Sequence, residues 1–255
     1  MTREEMIYTA MRQSAEDMGC RPEDFLREDN VITAFSLGRN ARKYLTEPIT
    51  GSFVSYGSNT VAAVADEIRD IVTEYMKMYK FYYLFGMPSL NWLNDRLSQA
   101  GYRISNMAAY YLPDPERIPE LSCIYETRVL VQEDFADLYL PQWGNALCED
   151  RKELDVLGVG AYDGGELIAL AACSADCGEM WQIGVDVLPA YRRRGIASAL
   201  TASLAREILK RGKVPFYGAA WSNIPSVGNA VKSGFVPAWA EMTVKPSADM
   251  DGMNA

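Results

Sequence analysis

Val185 to Ile208 read VDVLPAYRRRGIASALTASLAREI. Apolar residues alternate with Asp186 until Pro189, three consecutive arginines follow at Arg192, Arg193 and Arg194, and beyond Gly195 the apolar positions Ile196, Leu200, Leu204 and Ile208 recur at intervals of four. Period-two alternation is a strand signal and spacing of four is a helix signal. The stretch therefore predicts a strand ended by proline, a turn through Gly195, and a helix closed by Gly212. The first amides of that helix would lack intrahelical partners and would lie at the positive end of its dipole. Three cations at that end oppose the dipole by a few tenths of a kcal/mol each, so the arrangement points to an anion. A backbone amide nest with basic side chains at its rim suits a phosphate or pyrophosphate.

Reading outward, Tyr125–Val131 (YETRVLV) is predicted as a strand and QEDFADLYLPQWGNAL as a helix broken near Pro141. LDVLGVGAY and ELIALAACSA flank Asp163-Gly164-Gly165 and read as a hairpin. A turn at DCGE leads into MWQIGVDVLP. Downstream, VPFYGAAW is a strand, SNIPSVGNAVKSGF a short helix stopped by Gly234, and VPAWAEMTVKP a last strand. A meander of strands followed by strand-helix-strand predicts an α/β (α+β) fold with a mixed sheet, part antiparallel and part parallel.

The first half reads as a smaller α/β region. Thr2 and Glu5 fit a capping box, followed by helical spacing up to Gly19. RPEDFLREDN starts another turn or helix, and SFVSYGSNTVAAVA predicts two short strands broken at Ser58-Asn59. DEIRDIVTEYMKMY places Ile68, Ile71, Val72, Tyr75 and Met76 on one helical face. SLNWLNDRLSQAGYRISNMAAYYLPD predicts a helix, a stop at Gly101 and a strand. Three prolines within LPDPERIPELSC mark a boundary, giving residues 1–118 as an accessory region and 119–255 as the principal domain.

Composition excludes several chemistries. Among 255 residues there is no histidine, which removes Ser-His-Asp and Cys-His catalysis, HExxH zinc sites and any imidazole base. The net charge of −9 argues against general nucleic-acid binding. Five cysteines without a CxxC pair read as reduced thiols and give no metal site. No GxxxxGK[ST] occurs, and GVGAYDGG leads into a strand where a dinucleotide turn needs a helix. The N-terminus has no apolar h-region and no apolar run reaches bilayer length, so a cytoplasmic chain without membrane contact is expected.

VDVLPAYRRRGIASAL resembles the acyl-CoA signature of the GNAT superfamily of N-acetyltransferases, Q/R-x-x-G-x-G/A, through Arg192, Gly195 and Ala197. WSNIPSVGNAVKSGF resembles the same family's asparagine-containing segment ending in Gly234-Phe235. The resemblance covers about the last 125 residues, from Cys123 onward. It implies a GNAT-type central sheet flanked by helices and acetyl-CoA (coenzyme A) as donor. It further implies that Val185, Asp186 and Val187 would pair with the pantetheine arm. Arg192, Arg193, Arg194, Gly195, Ile196, Ala197 and Ser198 would hold the pyrophosphate, and Asn223 and Ser226 would lie against the cofactor arm.

Family chemistry is direct attack of an amine on the thioester, which requires a neutral amine and a route for its proton. Many relatives carry a tyrosine where this chain has Ala230, leaving the general acid unassigned. Glu179 is the candidate base, set against a reading as a solvated turn residue; Tyr191 is a further candidate, and Tyr217 and Trp221 candidate acceptor-pocket residues. WLNDRLSQAGYRISNMAAYYLPD echoes VGNAVKSGFVPAWAEMTVKP, either as a degenerate GNAT-like half or as a generic helix-glycine-strand unit. The leading expectation is an acyltransferase moving an acetyl group from acetyl-CoA to a primary amine of a small molecule. The alternatives are a non-catalytic acyl-CoA-binding sensor or regulatory module, and an acyltransferase of another acceptor class. Oligomeric state is left open.

Overall fold

In the computed structural model, residues 1–45 and 49–250 are described. The chain forms two compact units. The first comprises Met1–Thr9 and Tyr111–Pro237, the second Ala10–Tyr110 and Ala238–Ala255. In chain order the main elements are α1 (Arg3–Met18), β1 (Val31–Ala34), β2 (Gly51–Ser55), β3 (Val61–Val64), α2 (Asp66–Met78), α3 (Met87–Gln99) and β4 (Tyr102–Pro113). There follow β5 (Glu126–Val131), β6 (Asp155–Asp163), β7 (Glu166–Ser174), β8 (Met180–Val187), α4 (Ile196–Lys210), β9 (Val214–Ala219), α5 (Ile224–Lys232) and β10 (Phe235–Pro246). The class is the mixed α/β fold expected from the sequence.

In the first unit β5, β6, β7 and β8 pair as an antiparallel meander, and β9 joins β8 in parallel after the crossover through α4. The β6–β7 turn takes Gly164 at φ 59 and Gly165 at φ 92, a left-handed backbone that the Asp-Gly-Gly sequence admits without a Cβ penalty. The four apolar positions of α4 predicted from their spacing, Ile196, Leu200, Leu204 and Ile208, are at most 2% exposed. Burial of each contributes roughly 1.5–3 kcal/mol, which fixes the face that α4 turns inward and so the direction of its N-terminus.

The segment between β5 and β6 departs from expectation. Where the apolar spacing predicts a helix broken near Pro141, the chain makes short 3-10 turns at Gln132–Phe135, Pro141–Trp143 and Glu149–Leu154. Proline at the start of the second turn lacks an amide donor, and 3-10 geometry is tolerated in such short pieces. The apolar side chains are buried nonetheless: Phe135, Trp143, Ala146 and Leu147 pack with Leu130, Leu170 and Ala172 in one cluster.

In the second unit β2 and β3, the two short strands predicted around Ser58-Asn59, pair antiparallel, β10 pairs antiparallel with β2, and β1 lies parallel to β3. Strand β1 has no counterpart in the sequence reading; VITA is four residues long, too short for its alternation to stand out. The core joins Phe53, Ile68, Val72, Tyr75, Leu93, Leu97 and Met242. The capping box at the head of α1 is present, with Thr2 N donating to Glu5 Oε2 at 2.7 Å and Glu5 N to Thr2 Oγ1 at 3.2 Å. No disulfide links any of the five cysteines. Among the described residues no helix is long and apolar enough to cross a membrane.

Candidate functional site

Strands β8 and β9 are paired only from Met180 opposite Val214 to Ile183 opposite Tyr217. Beyond that point β8 stays bonded to β7, with Gly184 opposite Ala172 and Val187 opposite Ala169. The edge of Gly184–Val187 that faces away from β7 is thereby released from the ladder while β9 continues to Ala219. A backbone edge with unused donors and acceptors is a template for an extended ligand. This opening is part of a cavity of about 1000 Å³ within the first unit, at the upper end of the range for small-molecule sites.

The turn from β8 into α4 closes one end of the cavity. Pro189–Tyr191 make a single 3-10 turn, Arg193 adopts φ 62 and Gly195 adopts φ 78. The first intrahelical bond of α4 runs from Ala199 N to Gly195 O at 3.1 Å, so the amides of Ile196, Ala197 and Ser198 precede it and are open to a ligand. A Cβ built on Gly195 would meet no atom within 4 Å, and the same holds for Gly228 on the opposite wall. Donor-rich backbone, a positive helix end, flanking arginines and open space at two glycines fit a phosphorylated cofactor arm.

The sequence-predicted residues come together here with three departures, the first being Trp221, which is 46% exposed and not part of the lining. Val185, Asp186, Val187, Arg192, Arg193, Gly195, Ile196, Ala197, Ser198, Asn223 and Ser226 all line the cavity. Arg194 does not: its guanidinium donates to Tyr125 Oη and to Ala190 O, and lies over the Tyr191 ring at 5.4 Å. Glu179 does not either. It is exposed in the turn before β8, and the lining of β8 begins at Gln182, three residues or roughly 10 Å farther along an extended strand.

Asn223 caps α5, its Oδ1 accepting from Ser226 N at 3.2 Å. Tyr217 Oη lies 2.9 Å from Ser226 Oγ, at the last residue pair before β8 and β9 part. Asn229 ties α5 to α4, accepting from Ser198 Oγ at 3.0 Å and donating to Thr201 Oγ1 at 3.0 Å. Tyr191 hydrogen-bonds Asp163 Oδ2 at 3.0 Å, and this bond raises the phenol pKa; the ring is a hydrogen-bond donor held in place and a poor base at neutral pH. Arg192 Nε donates to Val187 O at 3.0 Å, steadying the turn.

Asn145, Gln182, Gly184, Gly228 and Lys232 also line the cavity and were not singled out from the sequence. A lone glycine inside a strand is a signal of close backbone approach, and Gly184 carried it. For Asn145 there was no local signal, because its place depends on contacts 41 residues away in the chain.

Residues 131–239 match the family described as GNAT acetyltransferase. No curated protein matches the chain. Among solved structures, a GCN5-related N-acetyltransferase from Kribbella flavida aligns at 14% identity over 96% of this chain and 95% of its own, with a TM-score of 0.50. A GNAT-family protein from Novosphingobium aromaticivorans is 19% identical over 56% of this chain, with a TM-score of 0.44. A GNAT-family acetyltransferase from Colwellia psychrerythraea is 15% identical over 56%, with a TM-score of 0.42. This chain spans less than two thirds of those last two proteins, 66% and 57% of their lengths.

Proposed function

We propose, from the match of residues 131–239 to the GNAT acetyltransferase family, that this protein transfers an acetyl group from acetyl-CoA to the primary amine of a small molecule. The observation that carries the reading is the parting of β8 from β9 after Ile183 and Tyr217, beside an amide nest at Arg192–Ser198. Acetyl-CoA, when bound, supplies an acyl group activated as a thioester. The amides of Ile196, Ala197 and Ser198, with Arg192 and Arg193 at the rim, would hold its diphosphate. The edge of Val185–Val187, less the Val187 carbonyl that Arg192 Nε occupies, would order the pantetheine arm. Orientation of this kind removes part of the entropic barrier to the transfer.

Asp186 is the one carboxylate among the lining residues, and both its oxygens are occupied by the donors described below, so it is no base. Glu179 stands outside the cavity. The attacking amine therefore enters neutral, having lost one proton to water; the proton that its nitrogen sheds on acylation also passes to water, from which the Tyr217 hydroxyl is reprotonated after each transfer. The Tyr217 hydroxyl, at the head of the opening, is the side chain best placed to give a proton to the departing thiolate.

The test is release of free thiol from acetyl-CoA with a panel of small amines, followed by mass measurement of the acceptor product. Thiol release with acetylated product supports the reading. Absence of cofactor binding overturns it. A second reading, an acyl-CoA-binding regulatory module, draws on Ala230, which is fully buried where relatives carry a tyrosine. Tight acetyl-CoA binding with no transfer to any acceptor would favour it.

A further inference from the structure

Strand β8 places Gln182, Gly184 and Asp186 on one face, because side chains alternate along a strand. The segment Trp143–Leu147 crosses that face. The Asp186 carboxylate accepts three hydrogen bonds from it: Asn145 N to Oδ2 at 2.9 Å, Asn145 Nδ2 to Oδ1 at 2.6 Å, and Ala146 N to Oδ2 at 3.0 Å. A Cβ on Gly184 would come within 1.8 Å of Asn145 O and 2.8 Å of its carbonyl carbon, so the crossing needs glycine at that position. On the other side of the segment, Trp143, Ala146 and Leu147 are 3–5% exposed and anchored in the apolar cluster with Leu170 and Ala172.

The location of this crossing along β8 gives it a role. The amide nest lies beyond the C-terminal end of β8 and the free edge runs back from Val187 to Gly184. An arm whose diphosphate sits in the nest and whose chain follows that edge brings its acyl end to Gly184. Asn145 is the lining residue contributed from outside 182–232, and it stands at that end.

We infer that Asp186 is a positioning residue that clamps Trp143–Leu147 across Gly184, so that the segment walls the cavity at its acyl end and sets the placement and selection of the amine acceptor. The inference rests on the acetyl-CoA reading above. The role of Asp186 is thus exerted through Asn145 and Ala146, and no proton passes through its carboxylate. An asparagine at 186 would remove the carboxylate charge from all three bonds and turn an amide donor toward Asn145 Nδ2, keeping at most the two backbone bonds to one oxygen, with a misplacement of the segment of the order that costs about 10²-fold when it occurs near reacting atoms.

The experiment measures Asp186→Asn, Gly184→Ala and Asn145→Ala beside the wild-type chain, each with three readouts: acetyl-CoA affinity by calorimetry, steady-state KM and kcat for the amine acceptor, and hydrogen exchange of the 143–147 amides. D186N and G184A are expected to raise acceptor KM by about tenfold or more and to weaken acetyl-CoA binding by clearly less than that, since both residues also lie on the edge that orders the arm. N145A keeps both backbone bonds, and its KM shift is expected to be smaller. Both larger variants should speed exchange at 143–147. Because one substitution removes bonds to the segment and the other forces it away by contact, a shared rise in acceptor KM that exceeds the change in cofactor affinity identifies the segment as the cause. Unchanged acceptor KM in active D186N and G184A overturns the clamp alone. Parallel losses of cofactor affinity and kcat in both variants overturn it in favour of a purely structural role. A wild-type chain that neither binds acetyl-CoA nor releases thiol overturns the function and the clamp together.

Discussion

Gly195 offers the sharpest separation of backbone strain from ligand binding, because α4 has a glycine of nearly the same conformation at its other end. Gly195 holds φ 78 at the N-terminus and Gly212 holds φ 71 just past the C-terminus. A Cβ at either would meet no atom within 4 Å. Replacement of each by alanine therefore imposes the same penalty, about 1–2 kcal/mol for an L-residue in the left-handed region, reduced by under about 1 kcal/mol through the lost freedom of the unfolded chain. Only Gly195→Ala places a methyl group at the cavity, beside the amides of Ile196 and Ala197. Displacing an anion from one charge-assisted hydrogen bond costs about 1.5–3 kcal/mol, which is about 10- to 150-fold in Kd. Titration calorimetry with CoA and acetyl-CoA, paired with thermal melts, reads both quantities. The expected result is a similar fall in stability for both variants and weakened cofactor binding for Gly195→Ala alone. Cofactor affinity within twofold of wild type in Gly195→Ala, or equal weakening in Gly212→Ala, would refute the assignment of the nest.

Asp155 is 1% exposed, accepts from Cys148 N at 2.9 Å, and has its pKa pushed up to about 6 mainly by burial, with Asp176 adding to the rise and Arg151 opposing it. The folded state holds this proton more tightly than the unfolded chain, so its stabilising contribution is full below about pH 4 and is lost as pH rises to about 6, an effect of at most about 3 kcal/mol. Asp155→Asn removes the titration; its stability relative to wild type, from urea unfolding, should increase from pH 4 to pH 7, and a constant difference would count against the buried-acid account. Tyr217→Phe is expected to lower kcat with acceptor KM little changed, as loss of a proton donor does; equal kcat would assign that proton to solvent. Glu179→Gln is expected to leave kcat/KM within about twofold, and a loss of more than about tenfold would restore Glu179 as the base.

The local patterns in the chain carried far. The spacing of Ile196, Leu200, Leu204 and Ile208 specified α4 and its buried face, and Pro189 with Gly195 specified where the turn lies. Asp163-Gly164-Gly165 specified a hairpin, and the Thr2–Glu5 pair a helix start. Each of these is a rule about neighbours within four residues, so a linear reading can apply it. The same reading erred where local signals were mixed, as in the segment around Pro141, whose apolar spacing suggested a longer helix than the 3-10 turns that form.

What the sequence by itself determined is the identity of most of the elements and the strand-turn-helix junction around Gly195, because strand alternation, helix spacing and glycine conformations are encoded residue by residue. The tertiary structure alone decided which of the candidates share a cavity. Arg194 is drawn off by Tyr125, 69 residues away, and Asp186 is claimed by Asn145, 41 residues away. Glu179 falls short of the cavity because β8 and β9 are still paired beside it. A side chain's partner at such separations depends on how strands and turns are stacked, and short-range periodicity holds no information about that stacking.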